Sequence, residues 1–90
     1  MVSNLTVENL KECFNAAINN QVKFVGVLIE MEGFKEAEVI INKIDNAEDK
    51  LNYYQNVYDE NLNHKYSNGI RIIGCSYGNS FADIQKDLVG

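Results

Sequence analysis

Residues 24 to 29 read Phe-Val-Gly-Val-Leu-Ile, the longest apolar run in the chain. The run is apolar on both alternating faces, with Phe24 and Leu28 on one and Val25, Val27 and Ile29 on the other. A strand of that kind has no face for water, so it belongs at the centre of a sheet, covered on both sides. In a chain of 90 residues little else is available to cover it. A domain this small buries only roughly 60–65% of its unfolded surface, so a partner chain would widen a thin stability margin.

The flanking patterns supply the rest of the architecture. Thr6 is placed to cap a helix, with Glu8 in its first turn and Leu5 able to staple onto Leu10. Leu10, Cys13, Phe14, Ala17 and Ile18 follow at helical spacing until Asn19 and Asn20 end the run. Val22 to Met31 is the first strand, Gly33 marks a turn, and Ala37 to Asn42 is a second strand with Val39 and Ile41 inward. Asp45, Asn46, Glu48 and Asp49 open a second helix, whose predicted apolar stripe is Ala47, Leu51, Tyr54, Tyr58 and Leu62, with His64 and Lys65 near its end. Asn68-Gly69 turns the chain into a third strand, Ile70 to about Tyr77. Gly78-Asn79 turns it again. Ser80 then caps a last helix carrying Phe81, Ile84 and Leu88, with Asp83 at its third position.

The predicted order is α-β-β-α-β-α in one α+β domain spanning residues 1–90. The doubly apolar first strand goes in the middle, giving a three-stranded, mainly antiparallel sheet in the order 2-1-3. The helical crossover makes the outer two strands run in the same direction. If the helices cover only one face, the other needs a second subunit, so a homo-oligomer, dimer or higher, is expected. Three helices divided between the two faces are the alternative.

Composition excludes several function classes. Against 13 acidic side chains stand 8 basic ones, and a net charge of −5 does not suit a protein that binds a nucleic-acid backbone directly. The apolar run of 24 to 29 falls far short of the ~20 residues that span a bilayer, so no membrane association is expected. Met1 to Asn20 carries two Glu and has no leader-like apolar stretch. Cys13 and Cys75 are too few for a disulfide scaffold, and Cys13 shares a helix face with Leu10, Phe14 and Ala17. A cytoplasmic location is expected. With His64 the two thiols make three scattered metal-type ligands, fewer than a zinc site needs. Neither a metal nor a cofactor is expected.

Two segments are candidate sites. Gly74-Cys75-Ser76-Tyr77-Gly78 spells the G-x-S-x-G of hydrolase nucleophile elbows, but the chain is too short for that fold and His64 precedes the serine. A hydrolase using Ser76 ranks third among the functional readings, and no residue is assigned as catalytic. Alternatively Gly74, Ser76, Gly78, Asn79 and Ser80 hold an anionic, nucleotide-like ligand at the N-terminus of the last helix. A tight turn with a serine cap accounts for the same residues without a ligand. The second segment is acidic. Glu30, Glu32, Glu36 and Glu38 flank the hairpin loop, and Tyr53 lies off the apolar stripe of helix two. Facing carboxylates need water, a cation or a basic partner. These five residues are the candidate partner-binding set, and a solvated edge that discourages strand aggregation is the plainer account.

The segments Phe24-Val25-Gly26-Val27-Leu28-Ile29, Glu38-Val39-Ile40-Ile41-Asn42, Leu51-Asn52-Tyr53-Tyr54 and Gly69-Ile70-Arg71-Ile72-Ile73-Gly74 resemble short uncharacterised proteins encoded by phages and prophages of Firmicutes, over most of the chain. The resemblance implies a viral accessory protein that binds and neutralises a host component, such as a defence factor, without catalysis. A non-enzymatic inhibitor of that kind is the leading expectation, acting in the host cytoplasm. Capture of a small nucleotide-like ligand is the alternative.

Overall fold

The structure, a computed structural model, describes residues 5–89. The first four residues, over which the leader-free reading of the N-terminus also runs, lie outside the described residues. Along the chain come α1 (Val7–Asn19), β1 (Phe24–Met31), β2 (Glu38–Lys43), a 3-10 turn (Ile44–Asn46), α2 (Ala47–Val57), β3 (Ile70–Gly78) and α3 (Phe81–Val89). The sheet order is β2-β1-β3, and both outer strands are antiparallel to β1. Fold class, element order and strand order are as expected. α1 begins at a capping box: the Thr6 hydroxyl accepts the Asn9 amide, and the Asn9 side chain accepts the Thr6 amide. An Asn thus stands where Glu or Gln is usual.

Val25, Val27 and Ile29 of β1 point into a core built with Leu10, Phe14 and Ala17 of α1 and Ala47, Leu51 and Tyr54 of α2. Opposed residues of an antiparallel pair share a face. Ile40 lies opposite Val27 and joins this core, while Val39 and Ile41 lie opposite Leu28 and Gly26 and therefore face the other way. The expectation that Val39 and Ile41 point into the same core is corrected by this register.

The second face belongs to α3. A Cβ built on Gly26 would stand 2.8 Å from Ile84 Cγ2, and one on Gly74 would stand 3.1 Å from Leu88 Cδ2. The two glycines form a trough across β1 and β3 into which these side chains sink, and Ile84 is fully buried there. Phe24 at the edge of this face meets Phe81 edge to face, with ring centroids 4.8 Å apart. The helices therefore divide between the two faces. The uncovered sheet face on which the expected oligomer rested is absent, since a nine-residue helix occupies it.

β3 keeps both faces supplied through a bulge. Gly74 pairs with Leu28 and Ile72 with Ile29, so Ile73 is an inserted residue. Strict alternation would put Ile72 on the same side as Gly74. The insertion instead turns Ile70, Ile72, Cys75 and Tyr77 toward α1 and α2, and Gly74, Ser76 and Gly78 toward α3.

Helix two is shorter than its apolar stripe suggests. It stops at Val57, and Tyr58 is extended (φ −111°, ψ 147°). Asp59 competes for the backbone at that point, its Oδ1 accepting the amides of Asn61 and Asn63. Leu62 takes a left-handed φ of 62°, and residues 62–64 run beside β3, with the Leu62 carbonyl accepting the Ile72 amide. Tyr58 and Leu62 are buried as expected, yet neither lies on a helix.

The trough makes a stability prediction. Gly26→Ala should cost about 1–3 kcal/mol in urea unfolding, the usual range for overpacking a filled core. The cost should shrink in an Ile84→Ala background, which removes the opposing methyl. An unchanged cost in that background would show that α3 does not press on Gly26.

Candidate functional site

The hairpin and the turn before β3 build one end of the molecule together. Phe34 donates its amide to the Met31 carbonyl, closing the turn at Gly33. Glu32 donates its amide to the Gly69 carbonyl at 2.7 Å, and its side chain lies directly over Gly69. A Cβ at residue 69 would collide with Glu32, and the φ of +80° there independently favours glycine. The Asn68-Gly69 turn thus acts as a seat for the hairpin.

Two concavities flank Met31 at this end. The first, about 460 Å³, is lined by Glu30, Glu32, Phe34, Lys35 and Arg71 among others. Glu30 stands opposite Arg71 in the β1–β3 register. Phe34 is 68% exposed, a large apolar ring left in water between charged neighbours. The second concavity, about 240 Å³, is lined by Glu38, Ile40, Lys50, Tyr53, Tyr58 and His64 among others.

The candidate partner-binding residues consequently divide. Glu30 and Glu38 project from opposite faces of the sheet, because Glu38 pairs with Ile29 on the α1–α2 side. Glu30 and Glu32 line the first concavity, Glu38 and Tyr53 the second, and Glu36 is exposed on the loop between the strands. The four carboxylates do not form one face.

The second concavity opens beside a chain of aromatic rings that the sequence reading did not assemble. Phe14, Tyr54, Tyr58, His64 and Tyr66 follow one another edge to face, with centroids 5.1–6.1 Å apart, and Tyr53 joins at Tyr54. Lys50 Nζ sits 5.0 Å from the Tyr53 ring centroid and 5.4 Å from that of Tyr54, a cation held over two π faces. His64 enters this chain because the strand-like return after Asp59 pairs it with Tyr58. Its Nδ1 accepts the Tyr66 amide at 3.1 Å. A sequence stripe read as continuous helix hides that return.

The β3–α3 junction is filled by the chain itself. Gly74 receives Leu88, and Gly78 lies in ordinary contact with Asp83 and Ile84. Ser76 Oγ donates to Asp87 Oδ2 at 2.9 Å, Asn79 Oδ1 accepts the Lys23 amide, and Ser80 Oγ accepts the Asp83 amide as a helix cap. The G-x-S-x-G segment lies wholly within β3, not on a strand-to-helix turn. His64, whose amide bonds to Ile70 at the opposite end of that strand, is roughly 20 Å along it from Ser76. Among the described residues no group of three or more His, Cys, Asp or Glu side chains is placed to hold a metal ion. None of the helices among those residues is long and apolar enough to cross a membrane.

Comparison with protein-family models, curated proteins and solved structures gave no match.

Tyr54 carries the clearest electrostatic consequence. Its hydroxyl is buried without a hydrogen-bond partner. Burial first, then Tyr58, Tyr53 and Cys75, push its phenol well above the ordinary value. A raised acid holds its proton more tightly in the folded state. Its contribution is therefore intact below the unfolded tyrosine pKa, near 10, and is lost as pH rises beyond it. Tyr54→Phe should leave stability at pH 7 unchanged or raise it by up to about 1 kcal/mol, since an unsatisfied polar atom is removed. It should also reduce the loss of stability above pH 10, measured by urea unfolding at both pH values. A loss of more than about 2 kcal/mol at pH 7 would mean that the hydroxyl has a partner.

Proposed function

We propose that this chain is a non-enzymatic binding protein that docks onto a basic surface of a host protein through the hairpin end of its sheet. The observation that carries the reading is Phe34, 68% exposed and flanked by Glu30, Glu32 and Glu36. An exposed aromatic ring surrounded by charges is the composition of an interface anchor, where the ring supplies buried area and the carboxylates supply orientation and association rate. The Gly69 seat holds Glu32 in place before any partner arrives, which lowers the ordering cost of binding. The resemblance to phage and prophage proteins supports a host component as the target and neutralisation as the outcome. Affinity for a tagged form of the chain in host lysate should fall at least tenfold for Phe34→Ala, and likewise for Glu30→Lys combined with Glu32→Lys. The wild-type interaction should weaken with added salt. Retention of the same partners by both variants would remove the hairpin from the interface.

A second reading, capture of a planar nucleotide-like ligand, is favoured by the Lys50–Tyr53–Tyr54 arrangement in the second concavity. There the half-exposed Tyr53 ring offers stacking surface and Lys50 an anion partner. A thermal-shift screen with nucleotides should show stabilisation that Tyr53→Ala abolishes. Stabilisation that survives Tyr53→Ala would remove this groove as the ligand site.

A further inference from the structure

The sheet has two edges, and the chain treats them differently. Along β3 the return after α2 lies against the outer edge, where Leu62 accepts the Ile72 amide and His64 donates to the Ile70 carbonyl. β2 is the other edge strand, and β1 and α3 are the elements packed against it. We infer that two copies of the chain pair at this edge, β2 against β2 and antiparallel, joining two three-stranded sheets into one of six strands. The contact is made along the strand edge, not through a sheet face.

The direction of each backbone group in β2 follows from the register. Ile44 donates its amide to the Lys23 carbonyl at 2.9 Å, in line with the ladder that sets Val25, Val27 and Ile29 opposite Asn42, Ile40 and Glu38. Hydrogen bonding alternates along an antiparallel pair, so the amides and carbonyls of Glu38, Ile40 and Asn42 turn to β1. Those of Val39, Ile41 and Lys43 turn outward, and among the described residues no group bonds to them. Most of the usual defences of an edge are missing here. The chain has no proline, β2 pairs without a bulge, and residues 39–42 carry no charge. Val39, Ile40 and Ile41 are only half-buried, which leaves apolar area for a second strand to cover.

Three features select a second copy as the occupant. The outward groups fall on odd-numbered residues, so a two-fold axis normal to the sheet pairs odd with odd and keeps each helix layer on its own side. Centred on Ile40, that axis sets Ile40 opposite its own counterpart and Val39 opposite Ile41 of the second copy, apolar against apolar on both faces. Charge fixes the direction. Glu36 and Glu38 lie before or at the start of the strand and Lys43 ends it, so antiparallel pairing lays Lys43 of one copy between Glu36 and Glu38 of the other. Parallel pairing would set like charges together. A six-residue strand makes a small interface, so the dimer is reversible and depends on concentration.

The test is sedimentation velocity of the full-length chain over a concentration series, joined to residue-resolved amide exchange at both ends of that series. A monomer that converts to a dimer is expected, with the amides of Val39, Ile41 and Lys43 protected at least about tenfold more in the dimer. The amides of Ile40 and Asn42 should be protected in both states, since β1 already holds them. Val39→Pro removes an outward amide and no bond to β1, and should weaken dimerisation at least about tenfold. Lys43→Glu should weaken it about fivefold, and adding Glu36→Lys with Glu38→Lys should restore it. All three charged residues are exposed, so these exchanges spare the fold. A chain that stays monomeric throughout the series would overturn the proposal. So would a dimer in which the three outward amides exchange as in the monomer, whatever the variants do. Protection that appears only when an extended peptide or another protein is added assigns the edge to a different occupant and overturns it equally.

Discussion

The whole structure depends on one strand that has no side for water. β1 is buried on both faces, and its neighbours in the sheet do not extend far enough to shelter it alone. Two layers of helix must therefore be drawn from a very short chain. α1 and α2 form the thicker layer, with interdigitated aromatic and aliphatic side chains. The thinner layer is a single short helix. It succeeds because Gly26 and Gly74 remove the side chains that would hold it away, so that Ile84 reaches full burial on one turn of contact. Small residues on the sheet substitute here for a longer helix, since dispersion and burial depend on closeness as much as on length.

Most of the fold was legible because its local signals agree. Thr6 and Ser80 mark helix starts, Asn68-Gly69 marks a turn, and the apolar periods between them are long enough to distinguish helix from strand. Misreadings arose where period alone was the guide. Tyr58 and Leu62 fit a helical stripe, yet Asp59 caps its own backbone and turns the chain into an extended return. Val39 and Ile41 fit an inward face, but β2 is apolar on both sides and only its register with Gly26 and Leu28 decides which side meets which helix. Register is a tertiary fact, so alternation in one strand does not reveal it.

The candidate sites were legible as residue types and not as groupings. The carboxylates of the hairpin are adjacent in sequence, but the pleat sends Glu30 and Glu38 to opposite sides. His64 and the tyrosines come together through the return after α2. The glycines and serines of the β3–α3 junction invite a ligand reading on composition alone. Their places are taken by Ile84, Leu88, Asp87 and backbone amides, so composition that suits an anion also suits a tightly docked helix.

The bulge at Ile73 decides which side chains of β3 meet which layer of helices. Ile73 is the residue that a regular ladder does not need: deleting it alone would let Ile72 and Gly74 follow one another opposite Ile29 and Leu28, with the other side chains of β3 kept on their present faces. Straightening the bulge at full length would instead slip the pairing by one residue, so that Tyr77 and Cys75 exchange places with Gly78, Ser76 and Gly74 and bulky side chains come to lie under α3 with glycines facing α1. The bulge is thus a place along β3 where a shortened variant can lose a residue without reversing either face.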